Sequence, residues 1–551
     1  MNNNFSSLNR NQITEQLKTT EFDLLIIGGG ITGAGIALDA ASRGMSVALV
    51  EKNDFASGTS SKSTKLIHGG LRYLKQFDFW LVKEVGAERA IVHKLAPHLV
   101  VPEKMLLPII ENGTYGKWLT SIGLKIYDVL AKVKGDDKRR MLNKAETLAL
   151  EPLLPESILE GAGYYAEYRT DDARLTIEVL KTALNYRALA LNYCKATKFI
   201  YHNNYVCGIE AQDKLTNNTF NINAKYVVNA AGPWVDDLRL KDEPKTSKHL
   251  HLTKGVHLVF NQEKLPIKQA LYFDVPDGRM MFAIPRGNYT YIGTTDTNYQ
   301  LNKESIEVTT TDALYLISAV NQMFPSINLG LEDVKSSWAG VRPLIHVEGK
   351  SAEELSRKDE LFVSDSGLIS IAGGKLTGYR KMAERTTDLV CKKYKHRLEK
   401  IFNPVQTENI NLTGGIFKNY NAVLTYQNHV YFAIKAFGFS KVDASYLVNN
   451  YGKQTEVILT HFKSLNHQNP IVNLALAELD FCIKNEMVVK PLDFFIRRTG
   501  RLYFDIQNIE IIKIPVLDAF AQYFNWDKSV MKSELEFINT QVFKASHFDS
   551  L

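Results

Sequence analysis

The chain has 551 residues, 45% of them apolar and 23% charged, which is typical of a globular protein with two or three domains. Its 66 basic and 60 acidic residues leave a net charge of +6, which suits an anionic substrate or membrane surface but is too small to favour nucleic acid. The four cysteines are widely spaced and form no C-x-x-C pair, which argues against a disulfide framework or a zinc site and indicates a reducing compartment.

The amino-terminal run MNNNFSSLNRNQ is polar and lacks the apolar core of a signal peptide. The longest uncharged stretch, Leu24 to Leu38, is short and rich in glycine, so a membrane span is not expected there. We therefore expect a cytoplasmic or peripheral protein.

The stretch FDLLIIGGGITGAGIALDAASRGMSVALVEK, which begins at Phe22, predicts a dinucleotide site. An apolar strand leads into Gly28, Gly30 and Gly33 in G-x-G-x-x-G spacing, and a helix and a second strand ending in Glu51 follow. These glycines permit a tight turn, close approach of a pyrophosphate and close helix packing. Glu51 can accept both ribose hydroxyls of an adenosine and would repel a 2′-phosphate. This stretch alone does not decide between FAD and NAD.

The next segment, GTSSKSTKLIHGGLRYLKQFDF from Gly58, is rich in hydroxyls and glycine. A flexible solvent loop is one interpretation. The other is that hydroxyls and Lys65 supply hydrogen bonds to a long cofactor, with Arg72 and Tyr73 following at the substrate.

Three segments bear on a membrane surface. Trp118 to Lys134 has apolar residues at helical spacing, which predicts either a core-facing helix or a membrane-surface helix. The basic clusters Lys138-Arg139-Arg140 and Lys392 to Arg397 are either solvated helix faces or, beside that helix, part of an interfacial foot.

Strand patterns resume at about residue 196 and end in KYVVNAAGPWVDDL. Residues 240–350 carry antiparallel signals, including HLTKGVHLVF, which predicts an inserted sheet domain. The parallel pattern returns at Gly367, where a strand, Gly373-Gly374 and a helix follow one another. From about Ile401 the pattern is mostly helical.

Together these motifs resemble the FAD-dependent glycerol-3-phosphate dehydrogenases. The match covers essentially all of residues 20–395. After the glycine motif, that family's order is followed by TSSKSTKLIHGGLRYL, VVNAAGPWVDDL, TKGVHLVF, GTTDT, SWAGVRPL and IAGGKLTGYRKMAE. DFFIRRTGRLYFD, at Asp493 to Asp505, is similar to its helical cap domain. Amino-acid oxidases share the first motif and Asn-Ala-Ala-Gly, but are not expected to carry the HGGLRY or GVRPL strings.

The resemblance implies an α/β fold: a Rossmann-like FAD-binding domain of the glutathione-reductase and amino-acid-oxidase type, an inserted antiparallel-sheet substrate domain and a C-terminal helical domain. The expected boundaries are 20–100 plus 190–238 plus 358–398 for the FAD domain, 101–189 plus 239–357 for the substrate domain, and 400–551 for the helical cap.

The activity implied is oxidation of sn-glycerol 3-phosphate to dihydroxyacetone phosphate by hydride transfer to FAD, with electrons passed to membrane quinone. The resemblance also implies peripheral attachment to the inner face of the membrane, and it is compatible with a homodimer; no metal and no nucleic acid are expected. One alternative is an oxidase that uses O2 and releases H2O2, although no extra middle segment of the kind carried by some oxidases is present. The other is a non-catalytic or RNA-modifying FAD protein.

The substrate phosphate calls for arginine, whose planar fork binds phosphate oxygens and keeps its charge. Arg342 stands in the apolar, turn-rich string GVRPL, where an unpaired guanidinium would be costly. It is expected to stabilise the developing alkoxide, with Lys375 near the flavin carbonyls. The expected substrate-binding residues are Arg72, Tyr73, Lys254, Arg342, Arg357 and Lys375.

For the proton we favour His257 as general base, with Lys254 lowering its pKa. His68 is kept as the alternative base, and its other interpretation is that it orients the flavin ring. Gly28, Gly30, Gly33 and Glu51 are assigned to the ADP half of the cofactor. The path to the flavin is assigned to Thr59, Ser60, Ser61, Thr64, Lys65, Leu66 and His68, and its closure to Gly374, Lys375, Leu376 and Thr377.

Overall fold

The computed structural model describes residues 5–68, 79–111, 113, 138–244, 248–345 and 359–549. Arg72, Tyr73, Arg357 and the segment Trp118 to Lys134 therefore lie outside the described residues. The strands are β1 (Glu21–Ile27), β2 (Val47–Val50), β3 (Leu66–Ile67), β4 (Val101–Ile110), β5 (Arg140–Asn143), β6 (Leu159–Arg169), β7 (Leu189–Leu191), β8 (Cys194–His202), β9 (Tyr205–Asp213), β10 (Thr219–Asn229), β11 (Leu250–Asn261), β12 (Ala270–Asp274), β13 (Met280–Arg286), β14 (Tyr289–Gly293), β15 (Thr297–Asn298), β16 (Val334–Ile345), β17 (Asp359–Val363) and β18 (Ile369–Gly373).

The α-helices are α1 (Arg10–Thr19), α2 (Ile31–Ser42), α3 (Phe79–Leu95), α4 (Lys144–Leu150), α5 (Asp172–Asn185), α6 (Val235–Asp242), α7 (Thr310–Met323), α8 (Tyr379–Leu398), α9 (Tyr420–Ile434), α10 (Lys441–Tyr451), α11 (Thr455–Ser464), α12 (Pro470–Asn485), α13 (Arg501–Phe504), α14 (Ile506–Phe524) and α15 (Lys528–Ser546). None of the helices in the described ranges is long and apolar enough to cross a bilayer.

The first sheet has the order β17-β18-β10-β1-β2-β7, and β18, β10, β1, β2 and β7 run parallel. β9 pairs antiparallel with the first half of β10, and β8 pairs with β9. α2 packs against both α5 and α8. Helix cover explains why Leu24, Leu25 and Ile26 of β1 are fully buried in succession rather than alternately.

The second sheet has the order β15-β11-β14-β13-β12-β4-β6-β3, with β16 beside β11 and β5 beside β6. Its pairings are antiparallel except that of β12 with β4. In the long β11–β16 ladder Gly255 stands opposite Gly340 and Thr253 opposite Arg342. β3 pairs with β6, although residues 20–100 were assigned to the other domain by sequence. The domain boundaries stay a prediction.

The carboxyl-terminal part is helical, and buried ion pairs join it to the first half of the chain. Asp54 is fully buried and binds Arg498 through both carboxylate oxygens, at 2.8 and 2.9 Å, and Arg497 at 2.5 Å. Burial opposes ionisation of Asp54, but Arg498 and Arg497 outweigh it and lower its pKa to about 2. Arg174 binds Glu486 in the same way, at 2.6 and 2.9 Å. Two sheets and a helical carboxyl-terminal region confirm the expected fold class.

Candidate active site

A cavity of about 1260 Å³ is lined by both sheets. The first sheet contributes the turn after β1, the end of β2 and the turn after β18, and the second sheet contributes parts of β11, β13 and β16. The loop 57–68 lines the cavity between them. Because parallel strands end at a common edge, the carboxyl ends of β1, β2 and β18 converge on this space.

The glycine turn is packed more tightly than any other residue would allow. Gly28 has φ +118°, and a Cβ there would lie 2.5 Å from the Ala230 carbonyl oxygen. A Cβ on Gly33 would lie 1.9 Å from the Gly28 carbonyl oxygen. Because these glycines have no side chains, α2 packs against the end of β1 and the amino terminus of α2 faces the cavity. This is the geometry that binds a pyrophosphate.

Glu51 directly follows β2 and lines the cavity. Its Oε2 accepts the Gly29 N–H at 2.7 Å and its Oε1 accepts the Asn53 N–H at 2.9 Å. Burial raises the pKa of Glu51, while these two N–H groups oppose the rise. Each carboxylate oxygen has a second lone pair, so Glu51 can still accept hydroxyls. The glycine turn, the amino terminus of α2 and the Glu51 carboxylate together fit the adenosine half of FAD.

The loop after Glu51 divides into residues that line the cavity and residues that anchor the loop. Thr59, Ser60, Thr64, Leu66 and His68 line the cavity. Ser60 Oγ accepts the Ile31 N–H at 2.9 Å, which ties the loop to the start of α2.

Ser61 and Lys65, assigned to the cofactor path by sequence, do not line the cavity. Ser61 is buried, and its Oγ lies 3.5 Å from the Gly58 carbonyl oxygen. The buried Lys65 ammonium binds Asp172 at 2.5 Å and lies 3.5 Å from Asp171. This interior ion pair makes Lys65 an anchor of the loop, and its assignment to the cofactor path stays a prediction.

The turn after β18 forms the opposite boundary. Gly373 and Gly374 both have positive φ, and a Cβ on Gly374 would lie 2.3 Å from Met382 Sδ. Gly374, Lys375, Leu376 and Thr377 all line the cavity. Thr377 Oγ1 donates to the His68 carbonyl oxygen at 3.2 Å, so this turn and the 58–68 loop meet.

Arg342 lies on β16, and its guanidinium is held at three points. One terminal nitrogen donates to the Thr295 carbonyl oxygen and to Asp296 Oδ1, both at 3.0 Å, and the other donates to Thr294 Oγ1 at 2.7 Å. A Cβ on Gly255 would lie 2.3 Å from this guanidinium, so a glycine is needed for it to lie flat on the sheet. Arg342 is thereby fixed as a cation in the cavity wall.

His257 is fully buried and does not line the cavity, contrary to the direct contact expected of a general base. Its ring stacks on Trp338 at 4.8 Å, and Nε2 lies 2.9 Å from Thr64 Oγ1. Burial, then Arg342 and Lys65, lower the pKa of His257 well below its usual range. The expectation that Lys254 lowers this pKa is wrong, because the Lys254 ammonium is bound to Asp312 at 2.5 Å, away from the cavity.

Sequence reasoning missed several residues of this wall. Thr294 and Asp296, which fix Arg342, stand in the string GTTDT, so the signal was present but was assigned no role. Lys62 and Trp234 also line the cavity. Lys62 lies inside the hydroxyl-rich loop and Trp234 inside AAGPW, and each could have been found as the large side chain of its motif.

Residues 23–380 match the family of FAD-dependent oxidoreductases, and residues 405–531 match the C-terminal domain of alpha-glycerophosphate oxidase. The chain is 50% identical over 542 residues to an aerobic glycerol-3-phosphate dehydrogenase of Bacillus subtilis (strain 168), covering 98% of each chain. It is 49% identical over 548 residues to the Staphylococcus aureus (strain USA300) protein of the same name, again covering 98% of each.

Among solved structures, the glycerol-3-phosphate dehydrogenase of Bacillus halodurans complexed with FAD superposes with a TM-score of 0.83 at 44% identity, covering 98% of this chain and 99% of that chain. An L-alpha-glycerophosphate oxidase from Mycoplasma pneumoniae, at 18% identity and a TM-score of 0.54, shares the fold over 71% of this chain and 98% of that one. The resemblance is confirmed: the chain is an FAD-dependent oxidoreductase and belongs to the aerobic glycerol-3-phosphate dehydrogenase family.

Proposed function

We propose that the protein oxidises sn-glycerol 3-phosphate to dihydroxyacetone phosphate and passes the electrons to membrane quinone. One observation carries the proposal: Arg342, locked at three points, lines the same cavity as Glu51 of the glycine motif and Lys375 of the second turn. A fixed guanidinium fork and an ammonium in one cavity suit a small phosphorylated alcohol. Relatives named for glycerol 3-phosphate support this substrate.

The chain's residues have separate tasks in the proposed reaction. Arg342 and Lys375 bind anionic oxygen and stabilise the alkoxide that develops as the hydroxyl proton leaves. Bound FAD supplies the acceptor of the hydride. His68 lines the cavity and takes the hydroxyl proton, whereas His257 is hydrogen-bonded to Thr64 and does not line the cavity. We therefore prefer His68, the alternative left open by sequence, as the base.

Anaerobic addition of glycerol 3-phosphate to the purified yellow protein tests the substrate. We expect the flavin absorbance band to bleach within one turnover, and glycerol, which lacks the phosphate, to leave it unchanged at the same concentration. A flavin that stays oxidised with glycerol 3-phosphate would refute the proposal, and a flavin that bleaches equally with glycerol would refute phosphate recognition by Arg342 and Lys375.

The acceptor is tested separately, because the carboxyl-terminal match is to the domain of an oxidase. With the substrate held constant, reduction of a soluble quinone is compared with peroxide release in air-saturated buffer. We expect quinone reduction to exceed peroxide formation by at least about tenfold, which corresponds to a difference of about 1.4 kcal/mol between the two barriers. Stoichiometric peroxide would instead establish an oxidase.

Peripheral attachment to the inner face of the membrane is supported by exposed cations at the end of α8. Lys392, Lys395 and Arg397 are exposed there, and Lys138 and Arg140 are exposed ahead of and in β5. Anionic lipid attracts such cations within a Debye length. Co-sedimentation with vesicles containing phosphatidylglycerol should exceed that with phosphatidylcholine alone and should fall in high salt; equal sedimentation would exclude this electrostatic mode.

A further inference from the structure

A second cation lies beside Arg342 on the same face of β16. Gly340 and Arg342 are two positions apart on the strand, so both face the same side of the sheet. A Cβ on Gly340 would lie 2.5 Å from Lys62 Cβ, and a Cβ on Gly255, the residue paired with Gly340, would lie 2.3 Å from the Arg342 guanidinium. The paired glycines thus seat two cationic side chains side by side, and both line the cavity.

The backbone around Lys62 is fixed. The Lys62 N–H donates to the Thr59 carbonyl oxygen at 3.1 Å, and Thr59 Oγ1 donates to the Val341 carbonyl oxygen at 2.7 Å. The loop is therefore bound to β16 immediately next to Gly340. Lys62 is held in the cavity wall by this attachment rather than by a bond from its own charge.

The ammonium of Lys62 has no counter-ion within the described ranges, where it makes neither an ion pair nor a hydrogen bond. Burial and then Arg497 lower the pKa of Lys62 to about 8, while Glu304 opposes the shift. Glu304 is itself ion-paired with Lys52, whose ammonium lies 3.8 Å from the centre of the Trp234 ring. Lys62 is thus a cation facing a cavity without an anion of its own.

Two hydrogen bonds locate the loop that carries Lys62 along the cavity. Thr59 is bound to β16 and Ser60 Oγ accepts the Ile31 N–H at 2.9 Å, so Lys62 lies where the loop runs between β16 and the amino terminus of α2. Glu304, which acts on the charge of Lys62, is ion-paired with Lys52, the residue that follows Glu51, the expected ribose acceptor. An anion expected on this side is the diphosphate that links the two halves of FAD.

We propose that Lys62 binds the diphosphate of FAD from the side opposite the amino terminus of α2, so that a side chain of the loop 57–68 completes the glycine turn. The proposal rests on FAD binding and not on the substrate or the electron acceptor. A cation on one side and helix N–H groups on the other would neutralise both phosphates without a metal ion.

The test measures FAD affinity of apoprotein by quenching of flavin fluorescence, with no turnover required. Lys62→Gln should raise the FAD dissociation constant by roughly ten- to a hundredfold, the value of a charge-assisted hydrogen bond, and Lys62→Arg should restore most of it. Lys225→Gln, which removes an exposed lysine paired with Glu21, is the matched control and should leave the constant unchanged. In competition against FAD, Lys62→Gln should weaken ADP binding and leave adenosine binding unaffected.

The pH dependence gives an independent measurement. Wild-type FAD affinity should fall as pH rises above about 8, where Lys62 of the free protein loses its proton. The FAD affinity of Lys62→Gln should not change over that pH range. Unchanged FAD affinity in Lys62→Gln would overturn the proposal. So would normal FAD affinity with a raised KM for glycerol 3-phosphate, which would transfer Lys62 to the substrate phosphate. Equal loss of ADP and adenosine binding, with a lowered Tm of the apoprotein, would instead reveal a purely structural lysine.

Discussion

The two walls of the cavity are built in opposite ways. The wall of the first sheet is backbone: Gly28 and Gly33 have no side chains, and α2 offers N–H groups across the space they leave. The wall of the second sheet is side chain: Arg342 is placed on β16 and fixed by Thr294 and Asp296, which follow β14. Here glycine serves a different purpose, since Gly255 only makes room for the guanidinium.

This difference separates holding the cofactor from choosing the reaction. A backbone wall recognises a diphosphate whatever chemistry follows, because every residue type except proline carries the same backbone N–H. Arg342 of the second wall and His68 after β3, together with Lys375 of the turn after β18, recognise charge and move a proton. We expect substitutions in the glycine turn to remove FAD, and substitutions of Arg342, Lys375 or His68 to remove turnover while FAD stays bound.

The largest effect is expected for Gly33→Ala. The added methyl group would lie 1.9 Å from the Gly28 carbonyl oxygen, a contact that only displacement of α2 can relieve. The purified variant should retain less than about a tenth of the wild-type flavin, measured by the ratio of flavin to protein absorbance. Gly378→Ala is the control, because no heavy atom lies within 4 Å of that added Cβ. Full flavin content in Gly33→Ala would show that the turn is not the cofactor site.

Arg342→Ala should lower kcat/KM by roughly a thousandfold, since it removes a preorganised cation from the transition state. Its flavin spectrum should remain that of the wild type, because the first wall is untouched. Arg239→Gln, which breaks an ion pair with Asp236 outside the cavity, should retain activity. If kcat/KM were unchanged in Arg342→Ala, the second wall would not be the substrate wall.

The two walls also differ in what sequence could predict. The residues of the first wall lie in one continuous segment of the sequence. The strand, the glycines, the helix and Glu51 could therefore be placed in order, and the fold class could be predicted from them. Arg342 could be picked out because a guanidinium in the apolar string GVRPL needs partners. In both cases the signal was local.

Where partners are distant, the sequence does not show which cations are already ion-paired. Lys65 stands among the hydroxyls of the loop, but its partner Asp172 is 107 positions away. Lys254 is three positions from His257, yet it binds Asp312, 58 positions away. Successive residues of a strand face opposite sides of the sheet, so Lys254 and His257, an odd number apart, do not share a face. Spacing identified charged residues, but only the fold shows which charges are already neutralised.

The two histidines provide a smaller and sharper test of the second wall. His68→Asn should lower kcat by about a hundredfold, the usual contribution of a general base, and should abolish the acidic limb of the pH profile. His257→Asn should lower kcat by less than about tenfold, as expected of a residue that acts through a hydrogen bond to Thr64. The acidic limb of the pH profile should remain in this variant. His257 contributes no limb near neutral pH because burial, Arg342 and Lys65 hold its pKa far below that range. A limb that disappears in His257→Asn would restore His257 as the base.

Glu51→Gln tests the first wall without adding a methyl group to it. The amide keeps the shape of the carboxylate, but only its oxygen can accept, so one of the N–H groups of Gly29 and Asn53 loses its acceptor. The dissociation constant for FAD should rise by about tenfold, the value of roughly one hydrogen bond.

The acid dependence of FAD binding provides a second measurement on Glu51. Burial raises the pKa of Glu51, and bound ribose hydroxyls favour the ionised form, so wild-type affinity for FAD should fall as the solution is acidified through that pKa. Glu51→Gln should remove this acid dependence while leaving the loss of affinity above pH 8 that we ascribe to Lys62. If both dependences vanished together, the two groups would titrate as one unit, and the separation of the cavity into a backbone wall and a side-chain wall would fail.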